Sequence, residues 1–216
     1  MISILLPIYN GERYLRESID SVLNQSFKNF ELLVGFNGTI DNSKEILHTY
    51  NDPRIKIFDY GSDKGKAKTL NKLLKQSKYD WIALQDDDDI WIQTKLEKQI
   101  LLINEYDVIG TFIHYINENG SIIGKPNLST SSFDIQKKSI AGENQVANTS
   151  AIFKKLDTFY INGWKEELDG IEDYDFWLRL MFIDKKFINI PEELVHHRLH
   201  SKSNFNTKIF NLNKIL

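Results

Sequence analysis

Apolar positions in the first half of the chain follow two alternating patterns. Short continuous runs, which predict strands buried on both faces, are separated by segments in which apolar residues recur every three or four positions, as in amphipathic helices. The predicted strands are Ile2–Ile8, Phe30–Phe36, Arg54–Tyr60 and Trp81–Gln85. The predicted helices run from about Leu15 to Gln25, from Asp41 to Tyr50, and through Ala67, Leu70, Leu73 and Leu74. Such regular alternation predicts parallel strands joined by right-handed helical crossovers.

The alternation therefore predicts an α/β fold with a Rossmann-like, doubly wound and mostly parallel sheet that has helices on both faces. Sheets of this kind bind ligands at the carboxyl ends of their strands. Three polar segments follow predicted strands, and they are Pro7–Asn10, Phe36–Asp41 and Asp86–Asp89. We expect these segments to converge at one edge of the sheet.

The pattern changes in the second half of the chain. Segments 107–116 and 121–124 flank Glu118-Asn119-Gly120, a turn sequence that predicts a β-hairpin and hence a smaller antiparallel portion. Further predicted elements are a strand at Val146–Phe153, a helix at Glu172–Phe182 and a short strand at Leu194–Leu199. Segment 127–132 is predicted to be a mobile loop, and the last dozen residues a helix that is cut short where the sequence ends.

Composition narrows the class of protein. With 216 residues, 41% of them hydrophobic, the chain is expected to form one domain with 1–105 and 106–216 as its halves. The net charge of −3 argues against a nucleic-acid partner, although Lys64, Lys66 and Lys68 form a local basic patch. The absence of cysteine excludes disulfides and thiolate metal sites. No apolar segment approaches the ~18 residues that span a bilayer, so we expect a cytoplasmic protein.

Four consecutive carboxylates, Asp86 to Asp89, precede Trp91 in an otherwise apolar segment. Neighbouring carboxylates at ~4 Å repel each other by about 1 kcal/mol in water and about 4 kcal/mol near a protein surface. A solvated acidic turn is the simplest interpretation, but the flanking strand and Trp91 favour a cation site. An extended backbone would direct Asp86 and Asp88 to one site and Asp87 and Asp89 to another. Oxygen ligands favour Mg²⁺ or Mn²⁺.

Two other loop motifs do not match. A calcium-binding hand loop requires alternating Asp or Asn with a glycine and a glutamate at fixed positions, and that spacing is absent. The stretch GSDKGKAKT resembles a phosphate-binding loop, but Gly61 and Gly65 are one residue too close and Ala67 stands where Ser or Thr is required. Its lysines remain candidates for contact with a diphosphate.

Taken together, these segments resemble the family two glycosyltransferases of GT-A fold, which move a sugar from a nucleotide donor to a hydroxyl acceptor. The resemblance covers nearly the whole chain. It rests on LLPIYNGERYLRESIDSVLNQSFKNFELLV, on ALQDDDDIW, and on GIEDYDFWLRL followed by LVHHRLH. Each stretch alone is weakly specific, whereas their order and spacing are highly specific.

The resemblance implies a donor site at the strand ends. Its nucleotide-sugar-binding residues would be Pro7, Ile8, Tyr9, Glu12, Asn37, Gly65, Lys66, Gln85, Asp86, Asp87 and Asp88. Tyr9 would stack on the base, Asp86 would contact the ribose or the metal, and Asp88 would ligate Mg²⁺ or Mn²⁺ between the phosphates. His200 is a further candidate metal ligand, and Arg198 matches a position that closes over the diphosphate.

One departure concerns the donor base. Where the family usually has two aspartates before a glycine, this chain has Phe36 and Asn37 before Gly38. An amide both donates and accepts hydrogen bonds, whereas an ionised carboxylate only accepts them. A UDP-sugar is the first expectation, and thymidine, guanosine and cytidine donors remain alternatives.

The resemblance also implies a catalytic base in the pair Glu172 and Asp173, with Asp173 as the first choice. A single base that acts opposite the leaving group inverts the anomeric centre. Ordinary charge stabilisation at a helix start is the alternative for this pair. Asn148–Ser150 and Asn162–Trp164 resemble segments near the acceptor. Trp164 is a candidate for stacking on a sugar ring, and burial in the core is the equally favoured alternative.

The expected partners are a nucleotide-sugar donor and a glycan or lipid-linked sugar acceptor, in surface polysaccharide synthesis. Peripheral contact with the inner face of the plasma membrane belongs to this expectation, while the sequence leaves the oligomeric state open. A nucleotidyltransferase is one alternative, although Gly11 is the lone glycine of PIYNGERYL. A non-catalytic nucleotide-sugar-binding homologue is the other.

Overall fold

The computed structural model of the protein describes residues 1–62 and 65–201. The strands are β1 (Ile2–Ile8), β2 (Phe30–Phe36), β3 (Ile55–Asp59), β4 (Trp81–Leu84), β5 (Ile90–Trp91), β6 (Val108–Ile116), β7 (Ile122–Gly124), β8 (Ile152–Lys154) and β9 (Phe187–Arg198). The α-helices are α1 (Leu15–Leu23), α2 (Ser43–His48), α3 (Lys66–Gln76), α4 (Lys95–Ile100), α5 (Ser132–Ile140), α6 (Lys155–Tyr160) and α7 (Glu172–Phe182). Two 3₁₀ turns lie at Asn148–Ser150 and Glu166–Leu168.

The strands form one mixed sheet in the order β3-β2-β1-β4-β8-β6-β9-β5, and β7 pairs with β6. The four strands of the first half are parallel, with β1 between β2 and β4. The second half adds β8 antiparallel to β4 and β6 antiparallel to β8, and β9 then runs parallel to β6. The predicted doubly wound α/β sheet with an antiparallel portion is therefore confirmed.

Continuous apolar runs gave the most accurate element limits. β1, β2 and α7 begin and end at the predicted residues, and α1 ends two residues before the predicted Gln25. For the strands, the reason is that both faces are buried. Ile4 and Leu6 of β1 belong to the core beneath α1 and α2, whereas Leu5 belongs to the core beneath α3 and α7. Each such side chain contributes about 1.5–3 kcal/mol when it is fully buried.

The predicted strand Val146–Phe153 is wrong over most of its length. Asn148–Ser150 forms a 3₁₀ turn, and regular pairing begins at Ile152 in β8. The turn is stabilised by a residue that is distant in the sequence, because the indole Nε1 of Trp91 donates a hydrogen bond of 2.9 Å to the Thr149 carbonyl. A tertiary contact therefore overrides the local apolar pattern.

Strand β9 is longer than the predicted segment 194–199, since it begins at Phe187 and passes through Pro191. Its register against β6 shifts between Thr111 and Phe112, which pair with Ile190 and Glu193. Pro191 therefore sits in a bulge, where its missing N–H disrupts no ladder hydrogen bond.

Three further segments of the second half complete the comparison. The predicted loop 127–132 lacks regular structure up to its last residue, which begins α5, but Leu128 and Ser129 are buried in it. Helices α4, α5 and α6 and strand β5 were not predicted. The predicted C-terminal helix and Lys64 lie outside the described residues.

Among the described helices, none has the length and apolarity that crossing a bilayer requires.

Candidate active site

A cleft of about 1330 Å³ lies at the carboxyl ends of the parallel strands. Each of the three predicted strand-end segments contributes to its wall, through Tyr9, Asn37 and Asp86–Asp88. The opposite wall includes Glu172 and Asp173 at the start of α7. The expected convergence at one edge of the sheet is therefore confirmed.

The acidic segment after β4 is a turn, not an extended strand, and the Asp89 N–H approaches the Asp86 carbonyl at 3.4 Å. Asp86, Asp87 and Asp88 consequently all line the cleft, and the predicted alternation between two sites is wrong. Asp89 is fully buried and accepts hydrogen bonds from the Arg198 backbone N–H at 2.8 Å and from His197 Nδ1 at 3.0 Å. The fourth carboxylate therefore anchors the turn to the end of β9.

Asp86 forms an ion pair with Lys66, in which Nζ and Oδ1 are 2.5 Å apart. Burial alone would lower the pKa of Lys66, but the carboxylates of Asp86 and Glu172 outweigh it and raise that pKa above its ordinary value. Lys66 therefore stays positively charged in the cleft. It begins α3 directly after Gly65, whose φ of 123° lies in the region that favours glycine.

Asp88 is paired with a histidine. His200 Nε2 lies 2.9 Å from Asp88 Oδ2, and both residues line the cleft. Burial favours the neutral acid, but the hydrogen bond from His200 and the charge of His197 outweigh it and lower the pKa of Asp88. Asp88 is therefore ionised at neutral pH.

Asp87 lies between two other carboxylates of the turn. Burial raises its pKa well above the ordinary value, and the nearby charges of Asp88 and Asp86 raise it further. The Tyr9 backbone N–H donates a hydrogen bond to this carboxylate. A side chain on Gly11 would overlap the Asp87 carboxylate, so the β1–α1 loop approaches the turn closely enough to require glycine there.

The residues of the acidic turn fit a hard divalent cation by their chemistry. Asp86, Asp87 and Asp88 present oxygen donors whose mutual repulsion a cation would relieve. No group of three or more Asp, Glu or His side chains within residues 1–62 and 65–201 has a ready-made metal-binding arrangement. Lys66 and His200 instead bond to Asp86 and Asp88. A cation would therefore compete with these two groups.

Three predicted donor-site residues have structural contacts within the protein. Ile8 is fully buried in the core, and Gln85 is fully buried with its amide bonded to Ser18, Thr149 and the Asp89 carbonyl. Glu12 lines the cleft, and its carboxylate accepts hydrogen bonds from the backbone and side chain of Asn42, which joins the β1–α1 and β2–α2 loops. Contact of these three residues with a nucleotide stays a prediction.

Asn37 is the predicted donor-site residue with an unused polar atom. It is 3% exposed and lines the cleft, and its Oδ1 has no hydrogen-bond partner among the described residues. Its backbone N–H donates to the Ile8 carbonyl at 3.2 Å, which fixes the residue at the strand end. A buried acceptor without a partner costs about 1–3 kcal/mol, and a ligand that donates a hydrogen bond there would remove that cost.

The two acidic residues at the start of α7 both line the cleft, but they have different hydrogen-bond partners. Glu172 accepts a hydrogen bond from the Gly170 backbone N–H, and burial raises its pKa to about 6 against the opposing charge of Lys66. Asp173 Oδ2 lies 3.3 Å from Asn144 Nδ2. Burial also raises the pKa of Asp173, while the Lys66 ammonium opposes the shift.

Residues 3–185 match the profile of the family described as Glycosyl transferase family 2. The chain belongs to glycosyl transferase family 2. Among its relatives, the O-antigen biosynthesis glycosyltransferase WbnJ of Escherichia coli is 34% identical over 211 residues, which are 94% of this chain and 81% of WbnJ. The E. coli UDP-Glc:alpha-D-GlcNAc-diphosphoundecaprenol beta-1,3-glucosyltransferase WfgD is 32% identical over 184 residues, covering 84% and 70%.

The fold agrees with the family. The structure of S. aureus TarS 1-349 in complex with UDP-GlcNAc superposes with a TM-score of 0.78 at 19% identity, over 99% of this glycosyltransferase chain and 63% of TarS 1-349. This likeness establishes the GT-A fold, and the chain spans less than two thirds of that TarS fragment.

Two further residues of this glycosyltransferase that the sequence singled out are almost fully buried. Arg198 is 1% exposed, and its guanidinium bonds to the carbonyls of Asp88, Asn117 and Glu118 and to the Glu17 carboxylate. It is therefore a buried clamp rather than a group that closes over a diphosphate. Trp164 is 2% exposed and stacks on Phe176, so it packs in the core and not on a sugar ring.

Sequence reasoning missed the cleft residues Asn144, Tyr115 and His197. Asn144 contacts Asp173 from the loop that follows α5, a helix that the apolar pattern did not reveal. His197 stood in the LVHHRLH stretch, so its type was visible, but its contact with Asp89 spans more than a hundred residues and has no local signal.

Proposed function

We propose that this chain is an inverting glycosyltransferase that moves a sugar from a nucleoside-diphosphate donor to an acceptor hydroxyl. The observation that carries the proposal is that the acidic turn Asp86–Asp88 and the pair Glu172 and Asp173 face one cleft. Lys66 lies close enough to both groups for their charges to raise its pKa. Displacement of a nucleoside diphosphate requires neutralisation of the leaving group and a base for the attacking hydroxyl, and these two acidic groups can supply them.

The proposed donor is a UDP-sugar. Tyr9 is 49% exposed at the cleft and offers a ring on which a base can stack, beside Pro7. The free Oδ1 of Asn37 can accept the N3–H of uracil while its amide nitrogen donates to a neighbouring carbonyl of the base. The names of WfgD and of the TarS complex, which contain UDP-Glc and UDP-GlcNAc, support this choice.

The proposed cofactor is Mg²⁺ or Mn²⁺, held by Asp88 and Asp86 with His200 as the neighbouring ligand candidate. When bound, such a cation would act as a Lewis acid that stabilises negative charge on the departing diphosphate. Asp88 is ionised and cleft-facing, as a ligand must be, and Lys66 and His200 balance the charge of the two aspartates in the protein alone. Lys66 is also placed to contact the diphosphate once it is displaced from Asp86.

Asp173 is the proposed catalytic base. Its carboxylate faces the cleft with Asn144 as a side-chain hydrogen-bond partner, whereas Glu172 is engaged by the backbone of its own loop at Gly170. The raised pKa of Asp173 favours acceptance of a proton, while the charge of Lys66 opposes that rise and favours the ionised form. Attack opposite the leaving group would then invert the anomeric centre.

The proposed acceptor is a glycan or lipid-linked sugar in surface polysaccharide synthesis, at the inner face of the plasma membrane. The names of WbnJ, which places it in O-antigen biosynthesis, and of WfgD, which places its acceptor on diphosphoundecaprenol, support this class. In this chain, the cleft lining includes the apolar Ile113 and Leu128 and the ring of Tyr115, side chains suited to the carbon face of a sugar.

The test is a donor panel. The purified protein is incubated with UDP-, TDP-, GDP- and CDP-sugars, with and without Mn²⁺, in the presence of free and lipid-linked saccharides. We expect release of UDP and formation of a glycoside of inverted configuration. Release of pyrophosphate would identify a nucleotidyltransferase, and saturable donor binding without any release would identify a non-catalytic homologue; either result rejects the proposal.

A further inference from the structure

Helix α6 directs its apolar side chains to solvent. Leu156, Phe159 and Tyr160 are 63%, 61% and 69% exposed, whereas Asp157 and Thr158 on the other side are 4% and 1% exposed. A surface helix of a globular protein ordinarily has the opposite arrangement. Side chains that stay exposed on folding contribute little to stability, so these three are not explained by the folding of the isolated protein.

The orientation of α6 is fixed by its polar side. Asp157 forms an ion pair of 2.7 Å with Lys185, which lies just after α7. The Thr158 hydroxyl donates to the Lys155 carbonyl at 2.7 Å, and the Thr158 carbonyl accepts the Gly163 N–H at 2.9 Å. These bonds hold the apolar side outward, so its exposure is built into the fold.

The apolar surface continues onto the end of α7. Phe182 is 74% exposed and Ile183 is 37% exposed. Lys185 connects the two helices, because its Nζ pairs with α6 through Asp157 and lies 5.9 Å from the centre of the Tyr160 ring. We call the five side chains of this surface the α6 patch, and they are Leu156, Phe159, Tyr160, Phe182 and Ile183.

Lysines border the α6 patch. Lys154, Lys155, Lys185 and Lys186 flank it in the sequence, and the acidic groups beside them are largely engaged: Asp107 pairs with Lys154 at 2.6 Å and Asp157 with Lys185. Lys155 bonds to the Ser77 carbonyl, which brings the exposed Lys78 near the same border. The exposed acids nearby are Asp80 and Asp184. With both members of each ion pair counted, the groups named at this border are five lysines and four aspartates, so the border is positive by one in a chain whose net charge is −3.

We propose that the α6 patch binds an anionic lipid surface. Aromatic and aliphatic side chains surrounded by lysines are the combination that inserts at the boundary between headgroups and acyl chains, with the ammonium groups directed to lipid phosphates. The patch exposes on the order of 600 Å². Stable protein–protein interfaces bury about 600–1,000 Å² on each partner, so the patch alone would supply only the lower limit, and the lysines at its border favour lipid over a second copy of the chain.

The patch is separate from the cleft, and the inference deepens the proposed function, on which it rests for the membrane location, by naming the surface that would make the contact. Helix α7 carries Glu172 at the cleft and Phe182 at the patch, which places the two sites roughly 15 Å apart along the helix axis. Docking through the patch would therefore leave the cleft open to donor and acceptor.

The test uses sedimentation with vesicles of phosphatidylcholine alone and of phosphatidylcholine mixed with phosphatidylglycerol. Wild-type protein should sediment with the anionic vesicles and not with the neutral ones, and binding should weaken as salt increases. The double variant L156S/F159S should lose at least tenfold in partition. The matched control is Leu101→Ser, because Leu101 is 73% exposed on another surface and its substitution should leave binding unchanged.

Absence of wild-type binding to anionic vesicles, or equal loss in both variants, would overturn the inference. A monomer–dimer equilibrium that L156S/F159S abolishes, without any vesicle binding, would assign the patch to a second copy instead. Because both substitutions are at exposed positions, thermal unfolding should show that the variants fold. Turnover with a water-soluble acceptor should be the same in the wild type and the double variant, so failure of the proposed function would be recognised separately.

Discussion

Lys66 and Asp86 form an ion pair of 2.5 Å at the centre of the cleft, and the same ammonium group acts on the two carboxylates that begin α7. Its charge opposes the upward pKa shifts that burial imposes on Glu172 and Asp173. One lysine thus connects the proposed donor end of the cleft with the proposed base. Removal of its charge should affect both ends in ways that can be separated by pH.

Lys66→Met should move the acidic limb of the pH–rate profile to higher pH. Without the ammonium group, only backbone hydrogen bonds oppose the effect of burial on Asp173, so its pKa rises and the base is protonated over a wider range. We expect a shift on the order of one pH unit, equivalent to about 1.4 kcal/mol. The measurement is kcat/KM from pH 5 to 9. Lys75→Met, at the exposed end of the same helix, is the control, and an unmoved limb in Lys66→Met would contradict this role.

Asp173→Asn should abolish proton abstraction while the donor still binds. The substitution keeps the shape and the contact with Asn144 but removes the basic oxygen, and general bases contribute about 10²- to 10⁴-fold to the rate. The measurement compares kcat with donor affinity by calorimetry. Glu172→Gln is the paired variant and should reduce kcat less. Wild-type turnover in Asp173→Asn would reject the assignment.

Asp88→Ala should eliminate the effect of Mn²⁺ on donor binding. The variant loses an ionised oxygen ligand and leaves His200 without its partner at 2.9 Å. Titration of UDP with and without Mn²⁺ should show at least a tenfold enhancement in the wild type and little in the variant. Enhancement that is equal in the two proteins would place the cation elsewhere.

Gly11→Ala should disturb the acidic turn by crowding alone. The added methyl group would overlap the Asp87 carboxylate, and overpacking of this kind costs about 1–3 kcal/mol. Urea unfolding should show that loss, accompanied by weaker donor binding. The double variant G11A/D87A removes the overlapping group and should recover most of the stability, whereas an additive loss in the double variant would exclude the steric explanation.

Lys95→Met should stabilise the protein at neutral pH. Lys95 is fully buried, and burial lowers its pKa well below the ordinary value near 10.5, with Gln99 Oε1 at 2.9 Å as its hydrogen-bond partner. Between the folded and unfolded pKa values the unfolded chain binds more protons, so wild-type stability increases with pH there. We expect the variant to gain on the order of 1–3 kcal/mol at pH 7 and less at pH 9.5.

The measurement for Lys95 is urea unfolding at both pH values. Lys98→Met, on the exposed side of the same helix and paired with Glu192, provides the control and should be nearly neutral. A destabilisation by Lys95→Met that is the same at pH 7 and pH 9.5 would show that packing on Trp91, not the charge of the amine, dominates.

The sequence was informative where a residue's surroundings are set by its neighbours along the chain. Ile2–Ile8 and Phe30–Phe36 are buried on both faces over their whole length, so an apolar run marks both ends. The polar residues that follow them had to gather at one edge, because parallel strands share a direction. The acidic turn was found in this way, whereas the acidic start of α7 was identified through the family resemblance.

Features that depend on contacts between residues far apart in the sequence could not be predicted. The turn Asn148–Ser150 depends on Trp91 and on Gln99, whose Nε2 donates to the Ser150 carbonyl at 2.9 Å. Pro191 lies within β9 because a bulge absorbs it. Glu12 and Gln85 are predicted ligands by position, and their hydrogen bonds to loop and core groups were not foreseen. Contacts of this kind have no local pattern, so side-chain roles were harder to predict than strands.

The buried guanidinium of Arg198 has a mechanical consequence. It binds the Asp88 carbonyl, the tip of the β6–β7 hairpin at Asn117 and Glu118, and Glu17 of α1. A force on the hairpin tip is thereby transmitted to the acidic turn without any intervening loop. Displacement of the hairpin tip would therefore act directly on the backbone of the acidic turn through this one side chain.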